Sequence, residues 1–400
     1  MSFEQLGLSQ PIIQALRALN YQKPTHIQNQ SIPVILEGRN LIAAAQTGTG
    51  KTASYLLPII ERLREATTQR KKRIRALILV PTRELAVQVE KSISDYALFT
   101  QLKGLAVFGG VDDKPQREAL IDGVDVLVAT PGRLLDLYGK HAVHFEEIEY
   151  LVLDEADRML DMGFIDDINK ILDRVPEDVQ QLLFSATLSN KVRDLAKSAV
   201  NDAFEISIAA KAASKANTAQ WLITVDKDQK SSLLSHLIKE NEWKQALIFI
   251  ETKKGAAKLV TQLEKRGIYA EAFHSGRSQE IRNRLLEQFK VGEIPFLVAT
   301  GVGARGIDID NLERVINYDL PFPADDYVHR IGRTGRATAT GEAISLVSKD
   351  DFKNLCMIES RLGHFIERRE VEGFTPRKPV PISILNYVPK HKRTKEQHDQ

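Results

Sequence analysis

The sequence predicts an α/β protein made of two tandem, doubly wound, parallel-sheet domains with a short linker between them. Short apolar runs with little polar alternation recur along the chain, with room for a helix between them, which is typical of strands buried on both faces. The series occurs twice, and a small, polar stretch at 209–218 separates the halves. We therefore place the domains at 1–208 and 219–372, with the linker at 209–218 and a tail at 373–400.

The composition predicts a folded protein of a reducing compartment. Of the 400 residues, 43% are hydrophobic and 27% charged, which is enough to build cores. The net charge of +2 is close to neutral, so any nucleic-acid binding must come from a local patch. A single cysteine, Cys356, excludes internal disulfides and cysteine-based zinc sites. No signal peptide or membrane-length apolar run is evident, so we expect a soluble, cytoplasmic protein without membrane contact.

The first segment predicts a helix over 9–19 and then a polar stretch that could recognise a base. The Gln28 side chain can donate and accept hydrogen bonds at once, which suits the N6/N7 edge of adenine. Phe3, far upstream, could stack on the base. A glutamine is more often only a surface residue, so this signal is weak alone.

The segment 45–52 (AQTGTGKT) has the context of a phosphate-binding loop, because an apolar run precedes it and a predicted helix follows. Gly48 and Gly50 let the backbone curl and aim its N–H groups at phosphate oxygens, and the helix adds its positive N-terminal end. Lys51 would neutralise the β- and γ-phosphates, and the Thr52 hydroxyl would hold Mg²⁺. The first residue is alanine where the general pattern has glycine.

Polar or glycine-bearing residues follow each predicted strand of the first half after the loop. In parallel sheets, function collects at the carboxyl ends of the strands. Ordinary polar loops would explain any one of these tails but not five along one predicted edge. The predicted strands are 76–80, 104–108, 124–129, 150–153 and 181–184. The tails are 81–84, 109–110, 130–133, 154–157 and 185–187.

One of these tails carries two adjacent carboxylates. Asp154, at the end of a predicted strand, can hold Mg²⁺ through its water shell. Glu155 can then orient and deprotonate an attacking water. Solvated Asp-Glu pairs are common, so this pair supports the phosphate loop rather than standing alone.

The second half repeats the strand pattern without a phosphate loop and adds an arginine motif. Its predicted strands are 246–250, 269–273, 295–299, 314–317 and 342–347. Arg330, Arg333 and Arg336 recur at a spacing of three, and guanidinium groups suit phosphate. A basic RNA-binding or solvent face is the alternative. We favour arginine fingers acting in cis, which contribute about 10³–10⁵ in rate and would make hydrolysis depend on domain closure.

The predicted tail from 373 to 400 is rich in proline and in basic residues. Its prolines interrupt any helix, and lysines and arginines outnumber acids. We expect a flexible basic tail that adds sequence-blind phosphate contacts. A merely solvated, disordered end is the alternative.

These motifs, in this order, resemble the DEAD-box ATP-dependent RNA helicases of superfamily 2, which are named after the residues at 154–157. The resemblance runs from Phe3 to about residue 350, and the segments 126–137 and 158–164 look most like the bacterial RhlE-type branch. It implies two RecA-like domains, ATP and Mg²⁺ as cofactors, and RNA as the partner.

The resemblance also implies an ATP site. The catalytic residues would be Lys51, Asp154, Glu155, Arg333 and Arg336. The residues that hold the nucleotide would be Phe3, Tyr21, Thr25, Gln28, Gln46, Thr47, Gly48, Thr49, Gly50, Lys51, Thr52 and Asp308, the last beside the ribose. Thr52 and Asp154 would bind Mg²⁺, partly through water.

An RNA surface and a set of coupling residues follow from the same resemblance. In the first domain the RNA contacts would be Pro81, Thr82, Arg83, Gly110, Thr130, Pro131, Gly132 and Arg133. In the second domain they would be Thr252, Gly276, Gln279, Arg282 and Thr300. Ser185, Thr187, Arg305 and His329 would couple hydrolysis to RNA, His329 as the link to the acidic motif.

Three positions depart from the family pattern. Asn20 replaces a glycine, which asparagine can do because it also enters the left-handed region. Ser275 follows a histidine where the family usually has glycine. Gly301 stands where an acidic residue is common, which raises the question of how tightly RNA binding is coupled to hydrolysis.

The sequence therefore predicts an RNA helicase that locally unwinds short duplexes with ATP hydrolysis and little sequence preference. One alternative is an ATP-gated RNA clamp or scaffold with little turnover, and another is a DNA helicase of the same superfamily. A one-domain kinase or GTPase is disfavoured, because neither needs the second sheet. We expect a monomer, with ribosome-assembly or RNA-turnover complexes as candidate partners.

Overall fold

The computed structural model describes residues 2–45, 48–65, 74–208, 218–301, 312–334 and 341–385. The chain forms two compact units, and the described part of the first ends at 208 while that of the second begins at 218. The predicted linker falls almost wholly outside the described residues. Its last position, Thr218, is instead the first residue of a strand.

The first unit is built on a seven-stranded sheet whose neighbouring strands all run parallel. All five strands predicted after the phosphate loop are present. The strand order is β3-β4-β2-β5-β6-β1-β7. The strands are β1 (Leu41–Ala44), β2 (Ala76–Leu79), β3 (Gly104–Val107), β4 (Val126–Ala129), β5 (Tyr150–Leu153), β6 (Gln180–Ser185) and β7 (Phe204–Ser207).

Helices cover both faces of this sheet and create two apolar cores. Apolar residues of α1 to α4 pack on one face, and those of α6 to α9 pack on the other. The helices are α1 (Gln10–Ala18), α2 (His26–Leu36), α3 (Lys51–Glu65), α4 (Arg83–Tyr96), α5 (Lys114–Ile121), α6 (Pro131–Gly139), α7 (Ala156–Asp161), α8 (Ile165–Leu172) and α9 (Asn190–Ala199).

The second unit contains another seven-stranded parallel sheet, ordered β10-β11-β9-β12-β13-β8-β14. Its strands are β8 (Thr218–Thr224), β9 (Ala246–Ile250), β10 (Ala270–Phe273), β11 (Phe296–Thr300), β12 (Arg314–Asn317), β13 (Gly341–Val347) and β14 (Glu367–Arg369). Its helices are α10 (Lys230–Glu240), α11 (Lys253–Glu264), α12 (Gln279–Lys290), α13 (Ala324–Ile331) and α14 (Phe352–Leu362).

The two sheets have the same topology. Adding seven to each strand number of the first order gives the second order, so β1 corresponds to β8 and β5 to β12. This confirms the prediction of two tandem parallel-sheet domains. None of the described helices combines the length and hydropathy that crossing a bilayer requires.

The segment 374–385 differs from the flexible tail that the sequence predicts from residue 373. The Arg377 guanidinium binds Asp226 Oδ2 and Asp228 Oδ1, each at 2.7 Å, and Val380 is buried. Arg368 of β14 donates to the carbonyls of Val380 and Pro381. The buried Val380 side chain and polar contacts between residues distant in sequence hold this segment on the second unit. Contacts of this kind cannot be recognised from the local sequence pattern. Positions 386–400, which carry most of the basic residues, lie outside the described part.

Candidate active site

The described part of the turn between β1 and α3, which begins at Gly48, has backbone features of a phosphate loop. Gly48 and Gly50 have φ of 78° and 91°, in the left-handed region that glycine enters without strain. A Cβ on Gly50 would lie 2.4 Å from Gln28 Nε2, so this position has no room for a side chain. Lys51 is the first residue of α3, which directs the N-terminus of that helix toward the loop.

Gln28, predicted to recognise adenine, is also bonded to the phosphate loop. Its side chain is almost fully buried; Oε1 accepts from the Thr25 amide at 2.8 Å and Nε2 donates to the Gly50 carbonyl at 3.2 Å. Thr25 and Gln28 form a capping box at the start of α2. Ser54 Oγ donates to the same Gly50 carbonyl at 2.9 Å. The base-recognition segment and the phosphate loop are therefore joined by a direct hydrogen bond.

Two aromatic rings lie beside this segment, and they differ in accessibility. Phe3 is only 4% exposed, whereas Tyr21 is 39% exposed. The rings meet edge to face with centroids 6.5 Å apart, and the Tyr21 and Tyr96 hydroxyls lie 3.2 Å apart. Tyr21 thus offers the accessible ring and Phe3 supports it, whereas the sequence assigned the stacking to Phe3. Asn20 has φ of 60°, which confirms the expected left-handed backbone.

A buried lysine and a buried aspartate lie behind the phosphate loop. Lys51 Nζ is buried, and no described residue accepts a hydrogen bond from it. Asp154 is 2% exposed and accepts from the Tyr55 hydroxyl at 2.8 Å and from the Glu155 amide at 2.9 Å. Burial, with the Glu155 charge, raises the pKa of Asp154 to about 6, although the Lys51 charge opposes the shift. The Lys51 ammonium thus lacks a hydrogen-bond acceptor among the described residues, which suits an anionic ligand.

Glu155 occupies a strained position at the point where β5 gives way to α7. Its φ and ψ are 53° and 48°, in the left-handed region that a non-glycine residue rarely enters. Arg158 Nη1 lies 3.1 Å from Glu155 Oε2 and holds the carboxylate in a partly buried ion pair. Backbone strain of this kind costs on the order of 1–3 kcal/mol and is retained where the geometry serves a function.

Asp157 joins the acidic turn to the loop after β6. Its Oδ2 accepts from the amides of Ala186 and Thr187 at 3.2 and 3.1 Å and from Thr187 Oγ1 at 3.2 Å. Ser185 Oγ donates to the Thr187 carbonyl at 2.7 Å. These hydrogen bonds join the loops after the neighbouring strands β5 and β6, so we expect a shift of one loop to affect the other.

The predicted RNA residues of the first unit lie after β2, β3 and β4, which are adjacent in the sheet. Thr82 caps α4, and the Arg83 guanidinium packs so closely on Gly110 that a Cβ there would lie 2.1 Å from Nη2. Arg133 Nη2 donates to the Val111 carbonyl at 2.8 Å, which joins the loops after β3 and β4. Pro81 precedes Thr82, while Thr130, Pro131 and Gly132 begin α6. The N-termini of α4 and α6 therefore lie next to each other at the carboxyl ends of the neighbouring strands β2 and β4.

The predicted RNA residues of the second unit follow β9, β10 and β11, which correspond to β2, β3 and β4. Thr252 Oγ1 accepts from the Gly255 amide at 3.0 Å and caps α11. Gln279 and Arg282 are buried on α12, with the Arg282 guanidinium 4.9 Å from the Phe273 ring centroid. Gly276 lies in the turn before α12, and Thr300 ends β11. The predicted RNA positions thus follow the corresponding three strands of each sheet.

The arginine motif of the second unit is only partly described. His329 and Arg330 lie on α13, and Arg333 follows it, mostly buried. Arg330 Nη1 donates to Asn317 Oδ1 at 3.3 Å and to the Asp319 carbonyl at 2.9 Å, so Arg330 braces the sheet. The predicted residues Gln46, Thr47, Arg305, Asp308 and Arg336 lie outside the described residues.

Comparison with known families covers both units. The model "DEAD/DEAH box helicase" matches residues 25–195, and "Helicase conserved C-terminal domain" matches residues 229–338. The chain belongs to the DEAD-box family. Members of this family are ATP-dependent RNA helicases, so the chain is an RNA-dependent ATPase, as the sequence predicted.

Individual relatives agree with this family over most of their length. The chain is 40% identical to the RNA helicase CrhR of Synechocystis over 92% of this chain and 74% of CrhR. It is 38% identical to the ATP-dependent RNA helicase DbpA of Bacillus subtilis over 99% of this chain and 82% of DbpA. Among solved structures, Dbp5 of S. cerevisiae bound to RNA and ADP BeF3 matches with a TM-score of 0.82 and 33% identity, covering 94% and 95% of the two chains.

The sequence analysis missed three residues of this DEAD-box site. Tyr55 bonds Asp154 from α3, Asp157 bonds the Thr187 loop, and Arg158 pairs with Glu155. Only Asp157 carried a signal, because it is the last letter of the family's acidic motif. Tyr55 and Arg158 lie inside helices, and nothing in their local pattern marks them.

Proposed function

We propose that the chain couples ATP hydrolysis in the first domain to local unwinding of short RNA duplexes. The observation that carries the proposal is the buried Lys51 ammonium, which has no acceptor among the described residues and lies in the field of buried Asp154. Leaving a charge buried in this way costs several kcal/mol in a real protein. A bound triphosphate would supply the missing anion, so nucleotide binding would relieve an existing cost.

The residues at the ends of β1 and β5 would divide the work of hydrolysis. Lys51 would neutralise phosphate charge, and Glu155, fixed by Arg158, would orient the attacking water and accept its proton. Mg²⁺ fits the donors at this site, because Asp154 supplies a carboxylate directly after β5 and Thr52 supplies a hydroxyl next to Lys51 on α3. Bound there by Asp154 and Thr52, partly through water, Mg²⁺ would neutralise charge on the phosphates.

The carboxyl edge of the first sheet would couple the nucleotide to RNA. The ends of β1 and β5 carry nucleotide residues, the end of β6 carries the coupling residues Ser185 and Thr187, and the ends of β2, β3 and β4 carry the RNA residues. β2 and β5 are direct neighbours, so the nucleotide and RNA residues share one edge. The Asp157–Thr187 hydrogen bonds would transmit loss of the γ-phosphate from the acidic turn to the loop after β6.

The RNA surface would recognise backbone rather than sequence. Helix N-termini and arginines bind phosphate without regard to the base, and contacts to the 2′-OH would favour RNA over DNA. We therefore expect little sequence preference.

Several finer assignments rest on the family resemblance. We propose that Arg333 and Arg336 contact the γ-phosphate, that Asp308 lies beside the ribose, and that Arg305 and His329 take part in coupling. Membership in the RhlE-type branch, a monomeric state, a cytoplasmic location and a role in ribosome-assembly or RNA-turnover complexes belong to the same proposal.

Steady-state ATP hydrolysis tests the proposed function. Rates would be measured without nucleic acid, with RNA and with matched DNA at one salt concentration, with the Lys51→Ala variant as the blank. We expect strong stimulation by RNA, little by DNA and none in the blank, followed by ATP-dependent separation of a short RNA duplex. Tight ATP-dependent RNA binding without stimulated turnover would contradict unwinding and favour the RNA clamp, which the absent carboxylate at Gly301 makes the second candidate.

A further inference from the structure

The turn between β10 and α12 contains a histidine to which neither the sequence pattern nor the proposed mechanism gives a role. His274 follows β10, and its Nδ1 accepts a hydrogen bond from the Gly276 amide at 3.1 Å. The Arg277 amide donates to the His274 carbonyl at 3.1 Å, and Ser278 Oγ caps α12. The imidazole therefore closes the turn from which α12 starts.

The imidazole also packs against the face of Gly276. A Cβ on Gly276 would lie 3.1 Å from His274 Nδ1, 3.2 Å from its Cε1 and 3.5 Å from Lys253 Cδ. A side chain at 276 would therefore push the His274 ring away by a few tenths of an ångström, whereas its contact with Lys253 would be an ordinary van der Waals contact. Because its N–H already donates to His274 within the turn, Gly276 would allow the RNA backbone to approach closely rather than donate a hydrogen bond to it.

The charges around His274 favour its neutral form. Burial lowers the pKa of His274, and the positive charges of Arg277 in the turn, Lys253 on α11 and Arg282 on α12 lower it further. A neutral ring whose Nδ1 accepts a hydrogen bond must carry its proton on Nε2. The acceptor that holds Gly276 is then present at neutral pH.

The neighbouring residue Ser275 makes this hydrogen bond more important. The family usually has glycine at 275, but Ser275 is not among the residues with positive φ, so a side chain fits there without backbone strain. The turn therefore does not derive its shape from a glycine at 275, and the His274–Gly276 hydrogen bond is a side-chain restraint within the turn between β10 and the cap of α12.

We propose that His274 is a positioning residue for RNA, and that its Nδ1 fixes Gly276 and so sets the approach of the RNA backbone to α12, Lys253 and Arg277. The proposal rests on the proposed function, because it assumes that RNA lies on this edge of the second sheet. His274 acts through Gly276 and contributes geometry rather than charge.

Three substitutions separate positioning from direct contact. His274→Asn places Oδ1 as many bonds from the backbone as Nδ1 and keeps an acceptor for Gly276. His274→Gln moves its polar atoms one bond further out, where they replace Nε2 but not Nδ1. His274→Ala removes both. The readouts on the full-length chain are the KM for RNA, the ATPase rate at saturating RNA, the rate without RNA and the thermal unfolding midpoint.

We expect the Ala and Gln variants to raise the KM for RNA by about threefold to tenfold, the change that the loss of one hydrogen bond produces. The Asn variant should stay within about twofold of wild type. The rate at saturating RNA, the rate without RNA and the unfolding midpoint should remain unchanged in all three.

Three results would overturn the proposal. A wild-type KM in the Ala variant would show that the hydrogen bond is irrelevant to RNA. Rescue by Gln rather than Asn would assign His274 a direct contact through Nε2. A common loss of unfolding midpoint and of rate at saturating RNA would show a purely structural role.

Failure of the proposed function would give a different signature. In that case wild type itself would show no RNA-stimulated hydrolysis. The Asn, Gln and Ala comparison would then be made on the Kd for single-stranded RNA with a non-hydrolysable ATP analogue, where the same order of variants supports positioning. Equal Kd values in all four proteins would contradict it.

Discussion

Lysines in corresponding places of the two domains have opposite surroundings. Lys51 begins the helix after β1, and Lys230 begins the helix after β8, the corresponding strand. Lys51 Nζ has no acceptor in the described parts of the chain, whereas Lys230 Nζ donates to the Tyr318 carbonyl and to Asp351 Oδ2, both at 2.9 Å. Since a buried ammonium needs compensation, the second domain supplies its own and the first leaves that role to a ligand.

The loops that precede these lysines differ in the same sense. In the first domain, Gly48 and Gly50 open the backbone in front of Lys51. In the second domain, the corresponding loop holds Asp226 and Asp228, and both bind Arg377. Carboxylates repel phosphate, so the second domain keeps the sheet and has, in place of a binding loop, a loop whose two carboxylates pair with Arg377.

Replacement of Lys51 by methionine should have the largest effect. Loss of the ammonium removes charge stabilisation of the phosphates, and such losses cost about 10²–10³ in rate. The Lys51→Met variant should therefore lose RNA-stimulated ATP hydrolysis by at least about 100-fold. Its thermal unfolding midpoint should change little, because Lys51 Nζ donates a hydrogen bond to no described residue and loses only its Coulomb attraction to Asp154. Retained turnover would remove Lys51 from the mechanism and with it the contrast between the two lysines.

The matched substitution Lys230→Met should act on stability instead. It leaves the partly buried Asp351 without its cation, which costs about 3 kcal/mol in unfolding free energy, the lower end for a broken buried ion pair. The only two tryptophans of the chain, Trp221 and Trp243, both lie buried in the second domain, so their fluorescence reports on its unfolding. Below the denaturant transition, RNA-stimulated hydrolysis should stay near wild type. An unchanged transition together with lost hydrolysis would reverse the roles assigned to the two lysines.

The sequence predicted the contacts that are local and missed those between distant positions. Apolar runs predicted the strands after the phosphate loop. Gly48, Gly50 and Lys51 predicted the phosphate loop itself, because such a loop is built from residues that are close together in the sequence. The Lys230–Asp351 pair joins positions 121 residues apart, and its lysine looks like any helix-starting lysine. Gln28 was predicted to read a base, but its bond to the Gly50 carbonyl depends on how α2 packs beside the loop.

Acid should weaken the Lys230–Asp351 ion pair of the second domain. Burial alone would raise the pKa of Asp351, but the charge of Lys230 and hydrogen bonds from Lys230 and Ser348 outweigh it and lower the pKa below the ordinary 3.8. Its stabilising contribution is therefore present above pH 3.8 and is lost as the pH falls through the lowered value. Tryptophan-monitored unfolding at a series of pH values should show this loss in wild type. Asp351→Asn should be less stable at neutral pH and lack that part of the pH dependence. Parallel curves for the two proteins would show that Asp351 does not titrate in this way.

The smallest expected effect concerns Gly301, after β11, where the corresponding strand β4 is followed by Thr130 and the proline that begins α6. A Cβ on Gly301 would lie 3.2 Å from Arg330 Nη2, so Arg330 must yield by a few tenths of an ångström to admit a side chain. Gly301→Asp should place a carboxylate on that guanidinium and raise the unfolding free energy of the second domain by about 1 kcal/mol. Gly301→Asn, of equal size and without charge, is the control and should gain little.

If the missing carboxylate loosens coupling, Gly301→Asp should also raise RNA-stimulated hydrolysis a few-fold and leave the rate without RNA unchanged. Equal destabilisation by Asp and Asn would mean that the bonds of Arg330 to Asn317 and to the Asp319 carbonyl hold it too firmly to yield.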